Sequence, residues 1–401
     1  MWAAIALLAV VFAGIGCSSS TTFPTEQSIR HVFVITLENK NYSSTFSATS
    51  TAPYLSQTLV AQGALLTNYY GTGHVSLDNY ISMMGGQSPT PQTDNDCTTY
   101  ADLQQTGTAA DGQVVGTGCV YPASVKSFPY QLTAAGYTWK GYMGDMGNDP
   151  TRESATCGHP TLNTPDLTQT AEAPSAAVPQ GDQYATRHDP FMYFHSIIDS
   201  DSCQRDVVNL NNNLQQDLAS IATTANFNFI TPNLCDDGHD SPCVTGAAGG
   251  LPSIDAFLKK WIPIIEASPA YQQDGLIIIN FDESNYGIVN TAGGSTTLAF
   301  TGDACCNEQP GPNLASFPQT VSYGVVPGYG NLSISKQSFG GDQTGAVLIS
   351  PFILPGTVST VPYNHYSLLK SLEDIFQING NLGYAGQSGL VGFGSDVFTG
   401  L

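Results

Sequence analysis

Short apolar runs recur along the chain, and two of them stop abruptly at pairs of polar side chains. The first reads His31-Val32-Phe33-Val34-Ile35-Thr36-Leu37 and ends in Glu38-Asn39. The second reads Leu276-Ile277-Ile278-Ile279-Asn280-Phe281 and ends in Asp282-Glu283. Each is β-branched and nearly continuous in apolar character, the pattern of a strand covered on both faces of a parallel sheet. Residues 226–231 and 346–350 read as further strands. Helical spacing predicts helices over 52–66, 254–265 and 366–376, with an apolar stretch at 80–84 and a short strand-and-helix signal within 128–142. Strands alternating with helices predict an α/β fold, a largely parallel central sheet sandwiched by helices. Residues 87–185, dense in Thr, Pro, Gly, Asp and Cys, read as long loops forming one wall of a site. Residues 284–343, rich in Gly and Thr, read as hairpins.

The beginning of the chain adds an address. Residues 1–16 are almost wholly apolar, and no charge appears until Glu26. The run is short for a membrane span and matches the apolar centre of an export signal. Cys17, after Gly14-Ile15-Gly16, resembles a bacterial lipoprotein processing site. Plain cleavage and lipid attachment at Cys17 both fit, so membrane attachment through that lipid stays open. The organisation expected is a signal segment (1–17), a polar linker (18–28) and one domain (29–401). Setting Cys17 aside, the nine cysteines leave eight, with no C-x-x-C spacing. Four disulfides in an oxidising compartment account for them. Cys97–Cys119 and Cys235–Cys243 would close short loops, and the adjacent Cys305-Cys306 suggests a vicinal bridge. The protein is expected to be exported, to the periplasm, the exterior or the cell envelope.

Charge narrows the function. The chain carries 32 acidic against 11 basic residues, a formal net charge of −21. Nucleic-acid binding through a basic patch is excluded, because phosphate neutralisation needs clustered Lys and Arg.

The two polar pairs are the main chemical signal. In open α/β sheets the ligand site lies just beyond the carboxyl ends of the strands. Glu38, Asn39, Asp282 and Glu283 would there form a hard-oxygen cradle for a divalent cation: Mg, Mn, Ca or Zn. Each pair alone could equally be a helix cap or a solvated turn. In His74-Val75-Ser76-Leu77-Asp78-Asn79, Ser76 stands in a Gly-bearing turn before an apolar stretch, where backbone N–H groups favour an anion. A hydroxyl there beside a metal can attack phosphorus, and Asn79 could donate to a phosphoryl oxygen. The alternative is that Ser76 only caps the helix. A third cluster, Asp236-Asp237-Gly238-His239-Asp240, follows the 226–231 strand. His188 and His365 are lone histidines, and such a residue is more often a cap or a packed ring than a ligand.

The motifs fall in a telling order: Glu38-Asn39; His-x-Ser-Leu-x-Asn-Tyr at 74–80; His-x-Pro-Phe at 188–191; Thr-Pro-Asn-x-x-x-Asp-x-His-Asp at 231–240; Phe-Asp-Glu-Ser at 281–284; Ser-Pro-Phe at 350–352; and Asn-His-Tyr-Ser-Leu-Leu-x-x-x-Glu-Asp at 364–374. The set resembles the phosphoesterase family of bacterial phospholipases C and acid phosphatases, within the alkaline-phosphatase-like superfamily. The resemblance spans roughly residues 30–376. It implies an alkaline-phosphatase-like fold with long insertions, and metal ligands at Glu38, Asn39, Asp282 and Glu283. Ser76 is implied as nucleophile, by similarity to the Thr of the Thr-Phe-Pro-Asn motif of related phosphodiesterases. Asp78 replaces that motif's proline before Asn79, and Val75 replaces another proline. Asp237, His239 and His365 are implied as further metal or phosphate ligands, and His188 as a contact to substrate.

The expected activity is metal-dependent hydrolysis of a phosphate ester through a phosphoserine at Ser76, with His74 or His239 as leaving-group acid. Acid phosphatase is the first choice and phospholipase C the alternative. A serine acyl hydrolase is a rival class, but the chain has no G-x-S-x-G elbow. A non-catalytic surface module is another, suggested by the Gly/Thr/Asn-rich loops. The lack of G-x-x-x-x-G-K-[ST] and of a strand-end G-x-G-x-x-G argues against nucleotide-cradling folds.

Overall fold

A computed structural model describes residues 29–291, 293–326 and 329–398. The signal segment, the 18–28 linker and Cys17 therefore lie outside the described residues. The strands are β1 (His31–Leu37), β2 (Ala64–Leu66), β3 (Trp139–Met143), β4 (Val207–Asn209), β5 (Phe227–Thr231), β6 (Gly275–Phe281), β7 (Gly287–Thr291), β8 (Ser295–Phe300), β9 (Gln319–Val326), β10 (Gly330–Lys336), β11 (Ala346–Ile349) and β12 (Thr357–Ser359). The helices that matter here are α1 (Ser76–Gly85), α2 (Gly250–Glu266) and α3 (His365–Ile375).

Eight strands build the central sheet in the order β12-β2-β11-β6-β1-β5-β3-β4. Only β11 runs against its neighbours, so the sheet is largely parallel and the α/β expectation stands. The continuous apolar runs are explained by cover on both faces. Val32, Val34, Leu276 and Ile278 point into one core with Leu77 and Ile81 of α1 and Leu368 and Leu372 of α3. The alternate residues Phe33, Ile35, Ile277 and Ile279 point into the other, against Leu258, Trp261, Ile262 and Ile265 of α2. Side chains of successive strand residues face opposite ways, so no position of β1 or β6 meets water.

Two expectations change. The helix predicted over 52–66 is a short helical segment followed by strand β2. Gly63 makes the break: a Cβ there would lie 2.0 Å from the Leu348 carbonyl oxygen of β11. Only glycine lets the chain approach β11 and turn into the sheet. Residues 284–343 form two hairpins, as expected, but the hairpins also join. Inner strands β8 and β10 pair in parallel, giving one four-stranded sheet, β7-β8-β10-β9.

All eight cysteines among the described residues are bridged: Cys97–Cys119, Cys157–Cys203, Cys235–Cys243 and the vicinal Cys305–Cys306.

Candidate active site

Register delivers the site. β1 and β6 pair in parallel with Leu37 opposite Phe281, so Glu38 and Asp282 emerge side by side. The Asp282 N–H donates to the Leu37 carbonyl (2.9 Å), and the Asn39 N–H donates to Asp282 Oδ1 (2.9 Å). The loop after β5 joins them, since the Glu38 N–H donates to the Asp237 carbonyl at 2.9 Å. Three carboxylates from three strand ends meet with no exposure to solvent.

His188 completes the group. Its Nδ1 lies 3.1 Å from Asp237 Oδ2 and its Nε2 lies 3.4 Å from Glu38 Oε1. Donor atoms of Glu38, His188 and Asp237 all fall within 4.8 Å of one another. Tyr80, from α1, stacks on the His188 ring and donates its hydroxyl to Glu38 Oε1 at 2.7 Å.

Ser76 faces the same cluster. Its Oγ donates to Glu38 Oε2 at 2.9 Å. The capping alternative is not what the structure adopts. Ser76 is the first residue of α1, the cap position is Val75, and no side chain caps the helix from there. A carboxylate from elsewhere fills the role instead, as Asp96 Oδ1 accepts from the Leu77 N–H at 3.0 Å. The anion at this helix start is the protein's own.

Electrostatics asks for a cation. Burial, then the charges of Asp282 and Asp237, push the Glu38 carboxyl well above its ordinary range. Burial also raises Asp237 and Asp282, and burial with Arg187 nearby holds His188 neutral. Asp282 Oδ2 and His188 Nε2 are buried without a hydrogen-bond partner. Such orphaned acceptors are costly unless something occupies the space between them. A divalent cation fits this donor set of carboxylates and one imidazole.

The other expected residues lie around this centre. Asn39 Nδ2 donates to Glu38 Oε2 at 3.1 Å. Glu283 turns instead to His74, whose Nε2 lies 3.0 Å from Asp342 Oδ2. Both ring nitrogens of His74 are thus committed, and these carboxylates outweigh burial to push the ring up to about 9. His365 is fully buried, with Nδ1 2.9 Å from the Tyr69 hydroxyl and Nε2 2.5 Å from the Asp282 carbonyl. It steadies the Asp282 backbone. Asn79 is fully buried and clamps the turn: Nδ2 donates to the Gly73 and Val75 carbonyls at 3.0 Å, and Oδ1 accepts from the Thr72 N–H at 2.7 Å. Asp78, in place of the motif's proline, packs under Gly73, where a Cβ would lie 2.4 Å from its Oδ2. His239 is exposed at the rim, its ring between Asp240 and the buried Arg187.

Sequence reasoning missed Tyr80 and Arg187. Tyr80 sits four residues after Ser76, so helical spacing could have put it on the same face. Arg187 reaches the site beside Asp96 (3.7 Å) from a stretch without regular periodicity.

The description "Phosphoesterase family" attaches to a family model that matches residues 44–379. A probable acid phosphatase of Kluyveromyces lactis is 24% identical over 272 residues, 66% of this chain and 50% of that protein. An acid phosphatase of Aspergillus fumigatus is 24% identical over 258 residues, 63% of this chain and 44% of that protein. The chain thus matches half or less of each relative's length. Among solved structures, an alkaline phosphatase superfamily protein from Vibrio parahaemolyticus aligns at a TM-score of 0.46 and 10% identity, covering 88% of this chain and 67% of that one.

Proposed function

Because the chain belongs to the phosphoesterase family, we propose that it is an exported, metal-dependent phosphoric-ester hydrolase of the acid phosphatase kind. The observation that carries this reading is the Ser76–Glu38 hydrogen bond beside the buried Glu38–His188–Asp237 group. Glu38, Asp237, His188 and Asp282 would hold a divalent cation, with the Asn39 side chain beside them. When bound, the cation supplies positive charge for a phosphoryl oxygen and lowers the pKa of a nearby hydroxyl.

Ser76 Oγ passes its proton towards Glu38 and attacks phosphorus. The P–O bond to the alcohol breaks, and the alcohol leaves with a proton from His239. Water then attacks the phosphoserine and gives one proton back to His239; the P–O bond to Ser76 breaks, the Ser76 oxygen takes up the proton held at Glu38, and phosphate is released. His239 fits the acid role better than His74, whose ring is buried between two carboxylates. In the resting arrangement the Nε2 of His239 accepts from Arg187, so the acid role requires the ring to leave Arg187 and take up a proton at Nε2 before giving it to the leaving oxygen. Four disulfides support export to an oxidising compartment.

The test is turnover of an aryl phosphomonoester between pH 4 and 8, before and after exhaustive chelation. Loss on chelation and recovery with a divalent cation are expected. Full turnover by protein shown to be free of metal would overturn the reading.

A further inference from the structure

A groove of about 580 Å³ opens beside the acidic centre. Asn39 and His239 line it together with Thr51 and Asn285, and Tyr286, Ile288, Leu251 and Pro252 supply its apolar wall. Asn39 links the groove to the chemistry, since its amide donates to the same Glu38 oxygen that accepts from Ser76.

We propose that this groove is the leaving-group subsite and that it selects phosphoesters of uncharged, partly apolar alcohols. The inference rests on the hydrolase reading above. Two observations carry it.

The first is charge. Lys40 is the single Lys or Arg lining the groove among the described residues. Its ammonium has three N–H donors, and they go to the backbone carbonyls of Glu38 (3.0 Å), Asn39 (3.0 Å) and Gly238 (2.9 Å). Nothing remains to pair a second phosphate or a carboxylate on the alcohol. No Asp or Glu lines the groove either, so a quaternary ammonium would find no counter-ion there.

The second is the apolar wall. Ile288 is 58% exposed on β7, at the edge of the four-stranded sheet. The chain is held just before this strand, where Tyr286 packs edge-on against Phe300 (5.9 Å) and Phe300 lies against the His74 ring (4.1 Å). The excursion at 284–343 thus anchors at the nucleophile's turn and presents an isoleucine to the groove. Burying an alkyl or aryl group against it would favour such alcohols.

The experiment uses the full, metal-replete chain and three substrates: hexyl phosphate, glycerol 2-phosphate and fructose 1,6-bisphosphate. The wild-type kcat/KM should be at least about tenfold higher for hexyl phosphate than for the bisphosphate. Ile288→Asp should lower the hexyl-to-glycerol ratio of kcat/KM about tenfold, and Ile288→Lys should raise the bisphosphate-to-glycerol ratio. Both changes fall on an exposed edge position, and circular dichroism would verify the fold. Equal turnover of all three substrates, or ratios unmoved by Ile288→Asp, overturns the subsite while leaving the hydrolase reading standing. Turnover of none of the three by metal-replete protein overturns the hydrolase reading and the subsite together.

Discussion

Ser76 and Glu38, 38 positions apart in sequence and both buried, are joined by a 2.9 Å hydrogen bond from hydroxyl to carboxylate. The serine does not cap its own helix, and its hydroxyl is turned instead to the carboxylate at the end of β1. Four other members of the site bear on Glu38 of this pair. Tyr80 and Asn39 donate to Glu38, His188 stands against it, and Asp282 crowds it from the adjacent strand.

The Asp282→Asn variant separates metal binding from folding. Asp282 Oδ1 accepts from the Asn39 N–H and would still do so as an amide oxygen. The orphaned Oδ2 becomes an NH₂ group facing Glu38, and one negative charge leaves a crowded, buried cluster. The metal-free variant should therefore melt no lower than metal-free wild type. The rise in Tm on adding divalent cation should be lost, and turnover should fall by more than about 100-fold, the upper end for outer-sphere changes. An intact metal-induced rise in Tm would exclude Asp282 as a ligand.

Tyr80→Phe removes one donor to Glu38 and keeps the ring stacked on His188. Losing that bond should cost about 1 kcal/mol of stability and weaken the cation about tenfold. Titration of metal-free protein followed by calorimetry reads both, and unchanged metal affinity would show that Tyr80 is only a packing residue.

Much of this centre can be read from sequence, and the unread part has a physical reason. β1 and β6 are legible because strands covered on both faces must be apolar throughout, so the first polar pair marks the crevice. Ser76 and Asp237 are legible because each follows a strand or a Gly-bearing turn. The division of labour among neighbours is not. Which of Asp282 and Glu283 faces the cluster depends on His74 and Asp342, and Asp342 lies 59 residues downstream of Glu283, across the four-stranded sheet. His188 was expected at the substrate and instead meets Glu38 and Asp237, because 3₁₀ turns rather than periodic elements carry it there. The helix expected over 52–66 ends at Gly63 because β11 passes within contact of it, a tertiary cause without local signal.

Stability of the metal-free protein should fall as pH rises from about 6.5 to 9. Burial pushes the Asp189 carboxyl from 3.8 up to about 8, so the folded chain keeps a proton there that the unfolded chain has lost. For His74, burial opposes charge, but Glu283 and Asp342 raise the ring from 6.5 to about 9, with the same sign. Both make the folded state bind more protons in this window, so unfolding becomes easier with rising pH. His188 and His365, held neutral by burial, change their contribution only below 6.5. A Tm that is flat or higher at pH 8.5 than at pH 6.5 would contradict the assignment.

The cysteines after Cys17 should titrate as no free thiol in the unfolded, unreduced protein. Replacing Cys235 and Cys243 by Ala opens a loop of sequence separation 8 that carries Asp237 and His239. Chain entropy puts the loss at about 2.5 kcal/mol, and metal affinity should fall with it. Two free thiols in wild type would refute the fully bridged arrangement.

The central claim is that Ser76 carries the phosphoryl group, and acid quenching tests it most directly. Wild-type, metal-replete protein mixed with ³²P-labelled aryl phosphate and quenched within milliseconds should retain label, recovered as phosphoserine in the peptide containing residue 76. Ser76→Ala should retain none, lose turnover by several orders of magnitude as other removed nucleophiles do, and lose no more than about 1 kcal/mol of stability, as loss of the single hydrogen bond to Glu38 would. Label on another residue, or a Ser76→Ala protein with more than about a tenth of wild-type turnover, would contradict the account.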